Sequence, residues 1–96
     1  MSYKNIPANV IEAIRKLIKC LEVRGYRVKE AYLFGSYAKG TWLKDSDVDL
    51  IIVSRDFEGI PFTKRLDIMN EIIWEEDIEP HIEVLPYTPR EFKDKV

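Results

Sequence analysis

Between Val10 and Leu21 the apolar residues Val10, Ile11, Ile14, Leu17, Ile18 and Leu21 recur at spacings of three and four, with charged residues in most of the gaps. That period predicts a helix with one buried stripe. Asn5 and Pro7 mark its start, Pro7 falling in the first turn where its missing N–H costs nothing, and Gly25 supplies a left-handed stop. Residues 26–34, YRVKEAYLF, end in a dense apolar cluster and predict a first strand closed by Gly35. Residues 36–42 leave room only for a short helix or a turn. Residues 48–53, VDLIIV, are apolar on both faces after Asp49, the pattern of a central strand covered on both sides. Pro61 opens a second long helix with Phe62, Leu66, Met69, Ile72 and Ile73 on one side. HIEVLPY then alternates as a third strand until Pro86. Thr88, Pro89 and Glu91 form a capping box, so another helix begins within two turns of Val96.

Helix, strand, turn, strand, helix, strand is the order of an α/β domain, a small mixed β-sheet flanked by helices. With 96 residues and no repeats, linkers or low-complexity tracts, a single domain over residues 1–96 is expected.

Charge narrows the partners. Fifteen Lys and Arg against 17 Asp and Glu leave a net charge of -2, so the molecule as a whole has no attraction for a nucleic-acid backbone. The one cysteine, Cys20, cannot form an internal disulfide and sits in the apolar helical pattern, where a small buried thiol is expected. The polar start MSYKN carries no signal-like segment, and no run reaches the roughly 20 apolar residues of a membrane span. A cytoplasmic protein is expected. Glutamine is absent while isoleucine, lysine and glutamate abound, a bias associated with proteins that work hot.

The chemistry concentrates in residues 34–53, FGSYAKGTWLKDSDVDLIIV. Residues i and i+2 of a strand share a face, so Asp47 and Asp49 present their carboxylates side by side at the mouth of an apolar strand. Two such charges about 6 to 7 Å apart repel by roughly 2 to 3 kcal/mol at an effective dielectric near 20, and a cation between them reverses the sign. Hard oxygen ligands of this kind suit Mg²⁺, which completes its shell with water and phosphate oxygens. Gly35-Ser36 opens a helical turn whose backbone N–H groups can meet an anion, while Gly35 permits close approach and the Ser36 hydroxyl can donate to a phosphate. Each half alone has a plainer explanation: solvated loop aspartates, and a tight turn with an N-capping serine. Two better-known motifs fail here. GSYAKGT has Thr41 where a Walker-type phosphate loop needs lysine, and DSDVDL has Leu50 where a calcium hand needs glycine.

Taken together, Gly35-Ser36 and, eleven residues after the serine, Asp47-x-Asp49 resemble the signature of the DNA polymerase β type nucleotidyltransferase superfamily, above all its minimal archaeal and bacterial members. The similarity covers nearly the whole chain. It implies the palm-like nucleotidyltransferase fold and a third carboxylate on a later strand, matched by Glu83 between Ile82 and Val84. Asp47, Asp49 and Glu83 are then the expected catalytic and metal-binding residues, holding two Mg²⁺ ions when an NTP, expected to be ATP, is bound. Gly35 and Ser36 would cradle phosphates, and Lys39 would offset phosphate charge or pair with a carboxylate. Family members often carry Arg at the position of Lys39 and Asp at that of Glu83.

The implied reaction moves a nucleoside monophosphate to an acceptor hydroxyl. Superfamily members that act on nucleic acid add domains to grip it, so a protein side chain or small molecule is the expected acceptor. Minimal members commonly pair with a HEPN-domain toxin as its antitoxin and adenylylate a tyrosine on it. A weakly active nucleotide-binding scaffold and a small-molecule adenylyltransferase are the alternatives. His81 shares a strand face with Glu83 and is expected to be structural, as are Tyr37 and Trp42, although both rings could meet a base or ribose. The acidic run EEDIE reads as a solvated loop, and the short final helix suggests docking on another chain, as a homo- or hetero-oligomer.

Overall fold

The computed structural model describes residues 6–41 and 47–95; Asn5 and Trp42, both singled out above, lie outside them. Helix α1 (Ala8–Val23) has Pro7 as its N-cap and buries Val10, Ala13, Leu17 and Leu21. Ile11, Ile14 and Cys20 flank that stripe half-buried, so the thiol is less enclosed than its pattern suggests. At the helix end Gly25 adopts φ 95°. Its amide donates to the Glu22 carbonyl at 3.0 Å and that of Tyr26 to the Leu21 carbonyl at 2.9 Å, the paired bonds of a Schellman stop.

Strand β1 (Glu30–Phe34) is shorter than its apolar pattern implied. Residues 26–29 stay outside it because the Arg27 amide donates to the Asp56 carboxylate at 2.8 Å, and contact with β2 begins only where the Lys29 amide meets the Val53 carbonyl at 2.8 Å. Helix α2 (Gly35–Lys39) follows, then β2 (Val48–Val53), a 3-10 turn (Arg55–Phe57), α3 (Phe62–Glu75), β3 (Ile82–Tyr87) and α4 (Pro89–Lys95). The acidic run is not all loop: Glu75 ends α3 and receives Arg24 Nη2 at 2.7 Å.

The strand order is β1-β2-β3, with β1 antiparallel and β3 parallel to β2, so the sheet is mixed and α3 is the crossover. Val48, Leu50 and Ile52 of β2, with Ile82 and Val84 of β3, form one cluster with the buried stripes of α1 and α3. Both long helices therefore lie on one face. Alternation sends Asp49, Ile51 and Val53 to the other face, together with Glu83, Leu85 and Tyr87. Among the described residues, cover on that face is fullest at its far end: Val53 is buried, whereas Asp49 and Ile51 are half-exposed. The expectation of a strand enclosed on both sides thus holds for one face and for the C-terminal end of the other.

Helix α4 supplies that local cover. Phe92 stacks on Tyr32 with ring centroids 5.0 Å apart, and Lys95 lies over the Tyr87 ring. The capping box forms in both directions, Thr88 amide to Glu91 Oε1 at 2.9 Å and Glu91 amide to Thr88 Oγ1 at 3.2 Å. Glu91 also receives both terminal nitrogens of Arg65, at 2.6 and 3.2 Å. Arg65 stands on the inner side of α3, among positions expected to be apolar. It is buried because its other donors meet the Ile60 and Pro86 carbonyls at 2.8 and 3.1 Å. This fork from Arg65 is the main reason the Glu91 carboxyl is pulled down to about 2, with the Thr88 amide adding to it and burial opposing.

Candidate active site

The site gathers where the chain leaves β1 and where β2 begins. Phe34, extended at φ -139°, is followed by Gly35 at φ 72°, a left-handed corner that turns the backbone into α2. A second constraint makes glycine necessary here. A Cβ at residue 35 would be driven into the Asp49 carboxylate, standing only 3.1 Å from its Cγ. The backbone of the glycine-serine corner and the Asp49 side chain are therefore in direct contact, across residues far apart in the chain.

Register brings the third acid alongside. Asp49 pairs with Phe34 on one side and with Glu83 on the other. Partners in adjacent strands point to the same face, so Asp49 and Glu83 are neighbours on the open face. Asp47 is one residue ahead of β2 and exposed; the Val48 amide beside it donates to the His81 carbonyl at 3.2 Å, which ties the entrance of β2 to that of β3. The crossover through α3 thus returns Glu83 beside the Asp47-x-Asp49 pair.

As the side chains stand, they are not closed around a single point. Among the described residues, no three His, Cys, Asp or Glu groups are placed to hold one metal ion together. What fits a divalent cation is the donor set, acidic oxygens with no lysine or arginine paired to any of the three among the described residues, together with the glycine corner that admits the Asp49 carboxylate against its backbone. Ser36 lies half-exposed in the first turn of α2, and Lys39 is exposed in its last turn. Tyr37 is buried in the core, which leaves it the packing role.

His81 is exposed and borders a depression of about 400 Å³ with Asp47, Glu83, Leu66 and Asn70. Leu66 and Asn70 were not singled out from sequence. Leu66 looked like an ordinary core position of the α3 stripe, and a polar residue on the outer side of a helix carries no signal of what stands opposite it.

A sequence profile for the nucleotidyltransferase domain matches residues 14–96. Over 64 residues the chain is 44% identical to a CCA-adding enzyme of Thermoplasma acidophilum, a match covering 65% of this chain and 15% of that enzyme. Over 67 residues it is 43% identical to a Methanocaldococcus jannaschii protein named "Putative protein adenylyltransferase", covering 68% of this chain and 62% of that protein. The chain thus spans less than two thirds of each relative. Among solved structures, a Sulfolobus solfataricus "putative nucleotidyltransferase" superposes with a TM-score of 0.55 at 24% identity, covering 94% of this chain and 82% of that one. BolA1 of Arabidopsis thaliana gives 0.61 at 20% identity, covering 90% and 98%. Likeness at that level shows a shared architecture and leaves function to the site. The profile spans most of the chain and takes in the glycine-serine corner, the aspartate pair and Glu83, and on that evidence the chain belongs to the nucleotidyltransferase domain family.

Proposed function

We propose that this chain transfers an adenylyl group from ATP to a hydroxyl on a partner protein. The observation that carries the proposal is the in-register pair Asp49 and Glu83 on the open sheet face, with the Asp49 carboxylate held against Gly35. Asp47, Asp49 and Glu83 would hold Mg²⁺, two ions when ATP is present, and bound there the metal would neutralise triphosphate charge and lower the pKa of the attacking hydroxyl. The chain's own groups do the rest. Backbone N–H groups at residues 35 and 36 and the Ser36 hydroxyl donate to the β and γ phosphates. Lys39 adds a positive charge at the rim. As the acceptor oxygen bonds to the α-phosphorus, the bond to the β-phosphate oxygen breaks and pyrophosphate departs; Glu83 would accept the acceptor proton.

A protein acceptor is favoured by the relative named as a protein adenylyltransferase, and by a net charge of -2 that gives no general pull on a nucleic-acid backbone. The partner class that fits is a HEPN-domain toxin, with this chain as its antitoxin and a tyrosine as the acceptor. Incubation of the candidate partner with ATP and Mg²⁺ should add the mass of one or more adenylyl groups. Recovery of unmodified partner, with this chain shown to be folded, would end the proposal.

One observation favours a second reading, a nucleotide-binding scaffold that neutralises its partner by contact: the three acids are not drawn together around a single ion position. Calorimetry separates the two, since a catalyst of this kind binds ATP only with Mg²⁺, and a pure scaffold shows no metal-linked step.

A further inference from the structure

Beyond the acidic site, the surface between α3 and the β2–β3 entrance has features the transfer chemistry does not use. Trp74 is 85% exposed, the most exposed large aromatic among the described residues. It borders a depression of about 590 Å³ that also reaches Asn70 and His81, and both of these residues border the depression beside Asp47 and Glu83 as well. The two hollows therefore adjoin at Asn70 and His81 and together outline a trough. Leu66, Asn70 and Trp74 stand at successive i, i+4 positions along α3, so the trough runs about 12 Å, the span of three or four extended residues. Leu85 gives it an apolar floor near Glu83.

Its walls are acidic: Asp77 and Glu79 line the Trp74 end and Asp47 and Glu83 the other, with no lysine or arginine lining either hollow among the described residues. Arg15, Lys16 and Lys19 of α1 line a separate hollow that also borders Asp77 and Glu79. None of these four acids enters an ion pair among the described residues, whereas Asp56, Glu71, Glu75 and Glu91 elsewhere all do. Such a trough repels a phosphate backbone and attracts a cationic peptide. An exposed tryptophan at the end of a short groove is the kind of side chain that anchors a bound segment and stacks with its arginines or aromatics.

We infer that the trough from Trp74 to Glu83 is the docking site for a short extended, lysine- and arginine-bearing segment of the partner protein, which carries the acceptor hydroxyl to the acidic site. The inference rests on the proposed protein-directed transfer for the role of the segment, and its binding can be read without that transfer.

The test is fluorescence anisotropy, without nucleotide, of a labelled short peptide with lysine and arginine flanking a tyrosine, against the same peptide with glutamates in their place. The basic peptide should bind about tenfold or more tightly than the acidic one, and Trp74→Ala should weaken it about tenfold. Asp77→Asn, which keeps a side chain tolerant of the positive φ there, should weaken it a few-fold, roughly what loss of one facing charge produces. Glu58→Gln, on the loop after the 3-10 turn, should change nothing. Equal binding of the two peptides, or binding indifferent to Trp74→Ala, overturns the docking site. Binding without later adenylylation of the peptide would leave the docking site standing and count against the transfer reaction; adenylylation unaffected by Trp74→Ala would do the reverse.

Discussion

The two faces of this sheet are built from alternate residues of the same strands and have opposite work to do. On the helix-covered face, Val48, Leu50, Ile52 and Ile82 are almost completely buried against α1 and α3, and their contribution is cohesion. On the other face, one residue out of phase, Asp49 is half-exposed and Glu83 exposed, and among the described residues α4 covers the distal end. Two acids side by side lower stability by their repulsion, so the closed face must supply the stability and the open face can hold a charge arrangement that an enclosed sheet would not tolerate. Substitutions on the two faces should therefore separate activity from stability.

The largest expected effect is on the open face. Asp49→Asn should lower adenylyl transfer on the order of 10³-fold, as loss of a principal transition-state contact does, while the thermal midpoint stays level or rises because a like-charge contact is gone. A matching fall in midpoint would mean that Asp49 is structural. On the closed face Leu50→Ala should do the opposite. Loss of a fully buried leucine costs about 3 kcal/mol in urea titrations, with transfer retained at temperatures where the variant is folded. At the junction, Gly35→Ala combines a strained φ with a methyl group driven into the Asp49 carboxylate. It should reduce transfer by about a hundredfold through the displaced acid and lower stability by about 1 to 2 kcal/mol. Full activity in this variant would break the link between corner and carboxylate.

The smallest effect concerns the cover over the distal end. The folded-state Glu91 carboxyl lies at about 2, below its ordinary 4.5, so the ionised form stabilises the fold. That contribution is fully present above pH 4.5 and is lost as pH falls from there toward 2. With the Glu91 side chain 41% exposed, solvent screening leaves about 1 to 2 kcal/mol. Glu91→Gln should remove most of this pH dependence from acid unfolding curves and leave neutral-pH transfer unchanged. An identical acid limb in the variant would assign the dependence to other carboxylates.

Local signals were the legible ones. The α1 stripe, the Gly25 stop, the β2 boundaries and the Thr88–Glu91 capping box all depend on residues within a few positions of each other, and each is found where its pattern placed it. That Asp47 and Asp49 share a face is a reading of strand periodicity, and Asp47 itself stands one residue ahead of β2. Their apposition to Glu83 depends on register across a crossover and was suggested only through family resemblance. The features that escaped notice depend on distant partners. The first strand starts late because Asp56, 29 residues on, captures the Arg27 amide. Arg65 can be buried in an apolar stripe because Glu91 and the Pro86 carbonyl await it from β3 and α4. Ile51 and Ile52 are the same residue type in adjacent positions, and nothing in either letter says which face the helices will leave open.

On the proposed function, the glycine-serine corner and the acids of the open face form a metal-dependent nucleotide site. Titrating ATP into the protein in a calorimeter, with Mg²⁺ and then with excess chelator, tests it most directly. Binding should require Mg²⁺ and disappear in the Asp49→Asn protein. ATP bound equally well in chelator, or by the variant, would contradict the claim.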